Sequence, residues 1–266
     1  MDTQELFQRA DLSGLHNEVA QQIRQNPQDA SSRALFVQIL CLEGAWERAD
    51  KQADALMNLS PSSALFCSTV SQLIRAEKRR ESVLRGEALP VWAGSVPSWG
   101  ESLTAGMAAC TRGDLKAGAE AIERVLEALP VVPVTLSGRS EPWLLDGDAR
   151  FSGVLELITG GEYRLVEQAT VQELEIAAPT HPIELLWPHV RLSLRSGEIL
   201  IGRMPGRYPL TAQTSSADAQ LLLMRSTAWT DCGNGLYLGE GQRCWNAESG
   251  PIPLLTEPVL RWGELP

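Results

Sequence analysis

Several chemistries are excluded by what this sequence lacks. Histidine is scarce: His16, His181 and His189 are the only three in 266 residues, and they are scattered. The five cysteines, Cys41, Cys67, Cys110, Cys232 and Cys244, include no C-x-x-C pair, so the ligand spacing of a zinc site is missing and neither a metal nor a cofactor is expected. Their odd number and apolar helical surroundings, clearest for the first three, predict reduced, buried thiols. Neither the G-x-x-x-x-G-K-S/T phosphate loop nor the G-x-S-x-G nucleophile elbow occurs. No uncharged stretch approaches the roughly 20 residues of a membrane span, and the first thirty residues hold no signal-like apolar run. A cytoplasmic location is the expectation. Basic residues are in deficit, 23 against 33 acidic, and the formal charge of −10 disfavours nucleic acid and anionic membranes as partners.

What is present is a repeat. Asn26-Pro27, Ser60-Pro61 and Leu129-Pro130 each close an amphipathic stretch. The prolines lie about one and then about two tetratricopeptide-type periods apart. In the first full unit, the segment from Ala34 to Leu42 predicts one helix, Gly44-Ala45-Trp46 a turn, and Ala49, Ala53, Leu56, Met57 and Leu59 the lining of a second helix. The same plan recurs later, with Gly113 in the place of Gly44, Leu115 in that of Trp46, Gly118 in that of Ala49 and Pro130 in that of Pro61. Small residues at the crossing let the two backbones approach. Between the hairpins a longer helix is expected from Ser62 to Gly86, with Lys78-Arg79-Arg80 read as a solvated face. Ala88 to Gly100 reads as an irregular connector.

After Pro130 the texture changes to short apolar runs bounded by Gly, Pro and Ser. Strands are predicted at 162–167, 171–176, 190–194, 198–202 and 220–224, with a hairpin at Arg195-Ser196-Gly197 and one helix from Arg150 to Thr159. The expected fold class is therefore α+β: a tetratricopeptide-like helical-repeat domain over residues 1–135 and a β-rich α+β domain over 136–266.

Three clusters merit chemical attention. Asp146, Asp148 and Arg150, followed by Glu156, could bind a divalent cation or act as an acid/base pair. The favoured reading is helix capping with an Asp–Arg150 ion pair. In Gly202 to Pro209, Arg207 and Tyr208 either grip a carboxylate on a partner or anchor the loop internally. Gly239-Glu-Gly241-Gln-Arg243 is expected to form a tight turn between strands. Of eight tryptophans, Trp143, Trp187, Trp229, Trp245 and Trp262 fall in the second half, as core or interface anchors.

Taken in order, these features resemble the ImpE/TagJ family, also called SciE-type, of accessory proteins encoded with bacterial type VI secretion systems. The likeness lies in Leu35 through Ala49, with Gly44 and Trp46 in its G-x-W-E-R-A turn, in Trp143 with Asp146, Asp148 and Arg150, and in Gly161-Glu-Tyr163. It continues through Leu185-Leu186-Trp187, Pro205-Gly-Arg207-Tyr208 and Gly239 to Arg243. The resemblance implies a non-enzymatic adaptor that binds the N-terminal helix of the small contractile-sheath subunit and is linked with sheath recycling by the ClpV ATPase, with no small-molecule substrate. Trp187, Arg207 and Tyr208 are the candidate partner-binding residues. The rival expectation is a metal-dependent or hydrolytic enzyme centred on Asp146, Asp148 and Glu156.

Overall fold

The computed structural model describes residues 2–210 and 218–264. Among the described residues, seven α-helices occupy the first half: α1 (Thr3–Gln8), α2 (Leu12–Gln25), α3 (Ala30–Leu42), α4 (Trp46–Leu59), α5 (Ala64–Leu84), α6 (Gly100–Thr111) and α7 (Leu115–Ala128). Aspartates start several of them. Asp11, Asp29 and Asp114 accept from the backbone N–H of Gly14, Ser31 and Ala117, supplying partners to donors that the first helical turn leaves free. Pro61 opens a 3₁₀ turn that runs into α5, using the fixed φ of proline where a helix begins.

The two hairpins have the expected form. Gly44 and Gly113 both adopt positive φ, +71° and +86°, and a new helix starts two residues after each. At the second crossing, a Cβ on Gly118 would lie 2.3 Å from Cys110 Sγ, so only glycine allows α6 and α7 to pack at this distance.

The strands are β1 (Val91–Trp92), β2 (Val134–Leu136), β3 (Arg139–Glu141), β4 (Leu144–Asp146), β5 (Val154–Thr159), β6 (Glu162–Glu167), β7 (Val171–Ile176), β8 (His189–Leu194), β9 (Ile199–Arg203), β10 (Arg207–Tyr208), β11 (Thr227–Gly233), β12 (Leu236–Gln242), β13 (Cys244–Ala247), β14 (Gly250–Pro253) and β15 (Val259–Trp262). Short helices α8 (Pro182–Leu186) and α9 (Ala219–Leu222) interrupt them. Among the described residues, nine strands form one sheet in the order β1-β6-β5-β9-β8-β7-β15-β2-β3, and two three-stranded sheets stand beside it, β10-β12-β11 and β14-β13-β4. The β8–β9 hairpin turns at Ser196-Gly197, as expected. The class is α+β.

Four expectations are corrected. Residues 150–159 are a 3₁₀ turn at Ala149–Phe151 followed by β5, not a helix. Val154 to Ile158 is buried throughout, the pattern of a strand covered on both faces, which periodicity alone does not separate from a buried helix. Residues 219–222 form α9 where a strand was predicted, because Asp218 caps the turn by accepting from Gln220 N–H. Gly239 to Gln242 lies within β12 rather than in a turn. The connector at 88–100 contributes β1, whose parallel pairing with β6 ties the helical half to the sheet edge. One apolar core accordingly runs through both halves, joining Leu40, Leu56 and Ile74 of the helices to Val154, Leu165 and Trp187.

Candidate functional site: a buried ionic junction

The polar residues singled out by sequence converge where α5 meets β5, β10 and β12. Four arginines, Arg80, Arg150, Arg207 and Arg243, are buried here with four acids, Glu77, Asp146, Asp148 and Glu156, so the cluster is balanced in formal charge. Such groups tolerate burial only when paired and fully bonded.

Glu156 is the hub. It projects from the middle of β5 and receives Arg80 on both oxygens, at 2.6 Å from Nε and 2.9 Å from Nη2. Arg243 Nη1 donates to it at 2.6 Å and the Tyr163 hydroxyl at 2.7 Å. Burial pushes the Glu156 carboxyl up, but Arg80 and Arg243 outweigh that and hold it below the ordinary glutamate range. Arg243 continues the chain to Asp146, with Nε at 2.7 Å from Oδ2. The other oxygen of Asp146 accepts from the Tyr208 hydroxyl at 2.7 Å and from Asp148 N–H at 2.9 Å. Burial dominates at Asp146 and raises its pKa despite Arg243. Three guanidinium groups surround the Phe151 ring, Arg243 at 4.9 Å, Arg80 at 5.6 Å and Arg150 at 5.9 Å from the centroid.

Beside this chain, Asp148 caps the 3₁₀ turn through Arg150 N–H and pairs with the Arg150 guanidinium, combining the two roles expected of it. It also accepts from Gly239 N–H at 2.8 Å, and a Cβ on Gly239 would press to 2.3 Å from the Tyr208 ring. Glycine is needed in β12 for this close approach, not for a turn.

Arg207 has a different environment. Its guanidinium donates to the carbonyls of Leu42 and Leu222, the last residues of α3 and α9. Helix C-terminal carbonyls lack intrahelical partners and carry partial negative charge, so one cation closes two helices. Burial brings the Arg207 pKa down to about 10, with Glu77 offsetting only part of it. Trp187 donates from Nε1 to Glu77 at 2.8 Å and stacks on Trp46 at 5.9 Å between centroids.

Trp187, Arg207 and Tyr208 are 0%, 3% and 1% exposed. Their selection as partner-contacting residues is therefore corrected: all three spend their polar atoms on internal partners. Arg80 overturns the solvated-face reading of the Lys78-Arg79-Arg80 run, of which Lys78 alone pairs with an exposed acid, Glu47. The signal was present in the sequence, since Leu73, Glu77, Arg80 and Leu84 share one helical face and two of them are apolar. Tyr163, the last residue of the Gly161-Glu-Tyr163 motif, bonds the hub.

The acid/base geometry required of an enzyme centred on Asp146, Asp148 and Glu156 is not assembled. Arg243 lies between Asp146 and Glu156, and Arg150 occupies Asp148. His16 bonds Glu43 and His189 sits by Glu184, neither of them one of those three carboxylates. Among the described residues, no three His, Cys, Asp or Glu side chains are placed to hold a metal, and no helix is long and apolar enough to cross a membrane.

Residues 138–260 match the family described as ImpE protein, and they contain β4, β5, β10, β12 and every junction residue except Glu77 and Arg80. Over 254 residues, 96% of this chain and 88% of the relative, the sequence is 29% identical to the type VI secretion system accessory component TagJ of Pseudomonas aeruginosa strain PAO1. The chain is thus similar to ImpE over its second half and to TagJ over nearly its whole length. Its fold is shared with the crystal structure of protein VPA1032 from Vibrio parahaemolyticus, at a TM-score of 0.89 and 25% identity, covering 99% of this chain and 98% of that one. The ImpE match begins after the helical repeats, whereas the TagJ and VPA1032 likenesses take in both halves.

Proposed function

We propose that the chain is a cytoplasmic, non-enzymatic accessory component of a type VI secretion system. In this reading it binds the N-terminal helix of the small contractile-sheath subunit and is linked with sheath recycling by the ClpV ATPase. The observation that carries the reading is the likeness to TagJ over nearly the whole of both chains. The junction supports it: its ionisable groups hold α5, β5, β10 and β12 together and are spent on one another or, at Arg207, on helix-end carbonyls, the chemistry of a rigid scaffold rather than of a reacting site.

With Trp187, Arg207 and Tyr208 buried, the docking surface lies elsewhere on the junction of the two halves. A recess of about 490 Å³ opens where α1, α2 and α3 face the segment leading into α8. Phe7, Leu35, Pro182 and Leu185 present half-buried apolar surface there, in the way a helix-binding groove does. The test is co-purification of the intact chain with the intact sheath subunit: retention by wild type and loss in Leu35→Glu support the reading, and equal retention by Leu35→Glu removes this groove from it.

A further inference from the structure

Among the described residues, the three sheets leave six strands at an edge: β1 and β3, β10 and β11, β4 and β14. An open edge offers unpaired N–H and C=O groups to any other strand, and short length, charge or proline blunts it. Five of the six are brief, two to four residues each. β3 also carries Arg139 and Glu141, and β14 carries Pro251 and Pro253. β11 differs: Thr227–Gly233 runs for seven residues with no proline and a single charge, Asp231.

The register fixes which groups of β11 are free. Gln242 N–H donates to Ser226 C=O, and the pairing continues from Thr227↔Gly241 to Asp231↔Tyr237. Bonded and non-bonded pairs alternate along an antiparallel ladder, so Ala228 and Thr230 bond to β12 while Thr227, Trp229 and Asp231 turn N–H and C=O outward. Among the described residues these outward groups have no hydrogen-bond partner. Ala228, Trp229, Thr230 and Asp231 are all exposed, and because successive strand residues point to opposite faces, this stretch meets solvent on both sides. Trp229 is held edge-to-face on Tyr208, at 5.7 Å between centroids, yet stays 41% exposed.

Such an edge takes a strand, and the order of its residues suits a second copy of this chain. An antiparallel two-fold pairing centred on Trp229 sets Trp229 against Trp229 of the copy and Thr227 against Asp231, so each outward N–H of one edge meets a C=O of the other. On the opposite face the small Ala228 meets Thr230. Like charges are not opposed in this register, whereas centring on Asp231 would set two carboxylates face to face. We propose that β11 pairs in the Trp229-centred register with β11 of a second copy, joining two three-stranded sheets into one across the dimer. The pairing does not rest on the secretion reading.

Sedimentation velocity of the full chain, from about 1 to about 300 μM, is expected to show a reversible monomer–dimer equilibrium. Trp229→Pro and Asp231→Pro each remove an outward N–H and leave the β12 ladder its donors, the position at which an edge strand accepts proline. Symmetry removes that donor from both copies, so each variant should weaken the dimer at least about tenfold. Hydrogen exchange of residues 226–233, followed by mass spectrometry, should slow as wild type is concentrated. A chain monomeric throughout, a dimer undiminished in either folded variant, or a dimer without slowed exchange at 226–233 overturns the proposal. Should both variants fail to fold, the exchange measurement on wild type decides it.

Discussion

Arg80 of α5 and Glu156 of β5 stand 76 residues apart in sequence and meet through two hydrogen bonds, at 2.6 and 2.9 Å, with side chains 5% and 0% exposed. This pair fastens the helical half to the sheet, and it makes Arg80 a structural cation rather than a surface charge.

Truncating Arg80 leaves Glu156 with less compensation inside the protein. Arg80→Ala is expected to cost about 3–5 kcal/mol, the usual effect of removing one partner of a buried pair. Urea denaturation checks it; a loss within about 0.5 kcal/mol would restore the solvated-face reading.

Trp46 heads α4, stacks on Trp187 and donates from Nε1 to Glu81 at 2.9 Å. Trp46→Ala should therefore cost roughly 3–5 kcal/mol through lost packing. An unchanged denaturation midpoint would place the indole outside the core.

The acid limb of stability should depend on Glu156. Its folded pKa lies below the ordinary 4.5, so its contribution is present above that value and is lost as pH falls through the lower folded pKa. Asp146 has the opposite sign: its raised pKa withdraws stability as pH rises above 3.8 toward the folded value. Glu156→Gln is expected to be less stable overall and to show a flatter loss of stability below about pH 4.5, whereas Asp146→Asn should not flatten it. Denaturation midpoints measured across this range decide between the two.

The core that joins Leu40, Leu56 and Ile74 to Val154, Leu165 and Trp187 makes independent folding of residues 1–135 and 136–266 unexpected. Thermal unfolding of the full chain should give one transition, coincident by far-UV circular dichroism and tryptophan fluorescence. Two separated transitions would show two autonomous domains.

The parts legible in sequence were those governed by near neighbours. Gly44 and Gly113 marked the helical hairpins because a helix ending in a left-handed residue leaves a local glycine signature, and Asp148 with Arg150 declared an ion pair two residues apart. The TagJ-like motifs at Gly161-Glu-Tyr163 and Gly239 to Arg243 were visible as strings, but their purpose was not. Tyr163 and Arg243 matter through Glu156, which is 7 and 87 residues away. Arg80 reads as a surface charge for the same reason: Arg79 and Glu81 beside it are charged, and although Glu77 lies one turn away, the partner that it holds on both oxygens, Glu156, is 76 residues distant. Val154 to Ile158 failed on period, since a strand covered on both faces does not alternate.

The adaptor role is tested most directly by calorimetric titration of the full-length chain with a synthetic peptide of the N-terminal helix of the small sheath subunit from the same organism. Saturable binding at one peptide per chain, weakened at least tenfold by Leu35→Glu and unchanged by Trp229→Ala, is the expected result. A folded wild-type chain that shows no binding to that peptide would contradict the sheath-adaptor role.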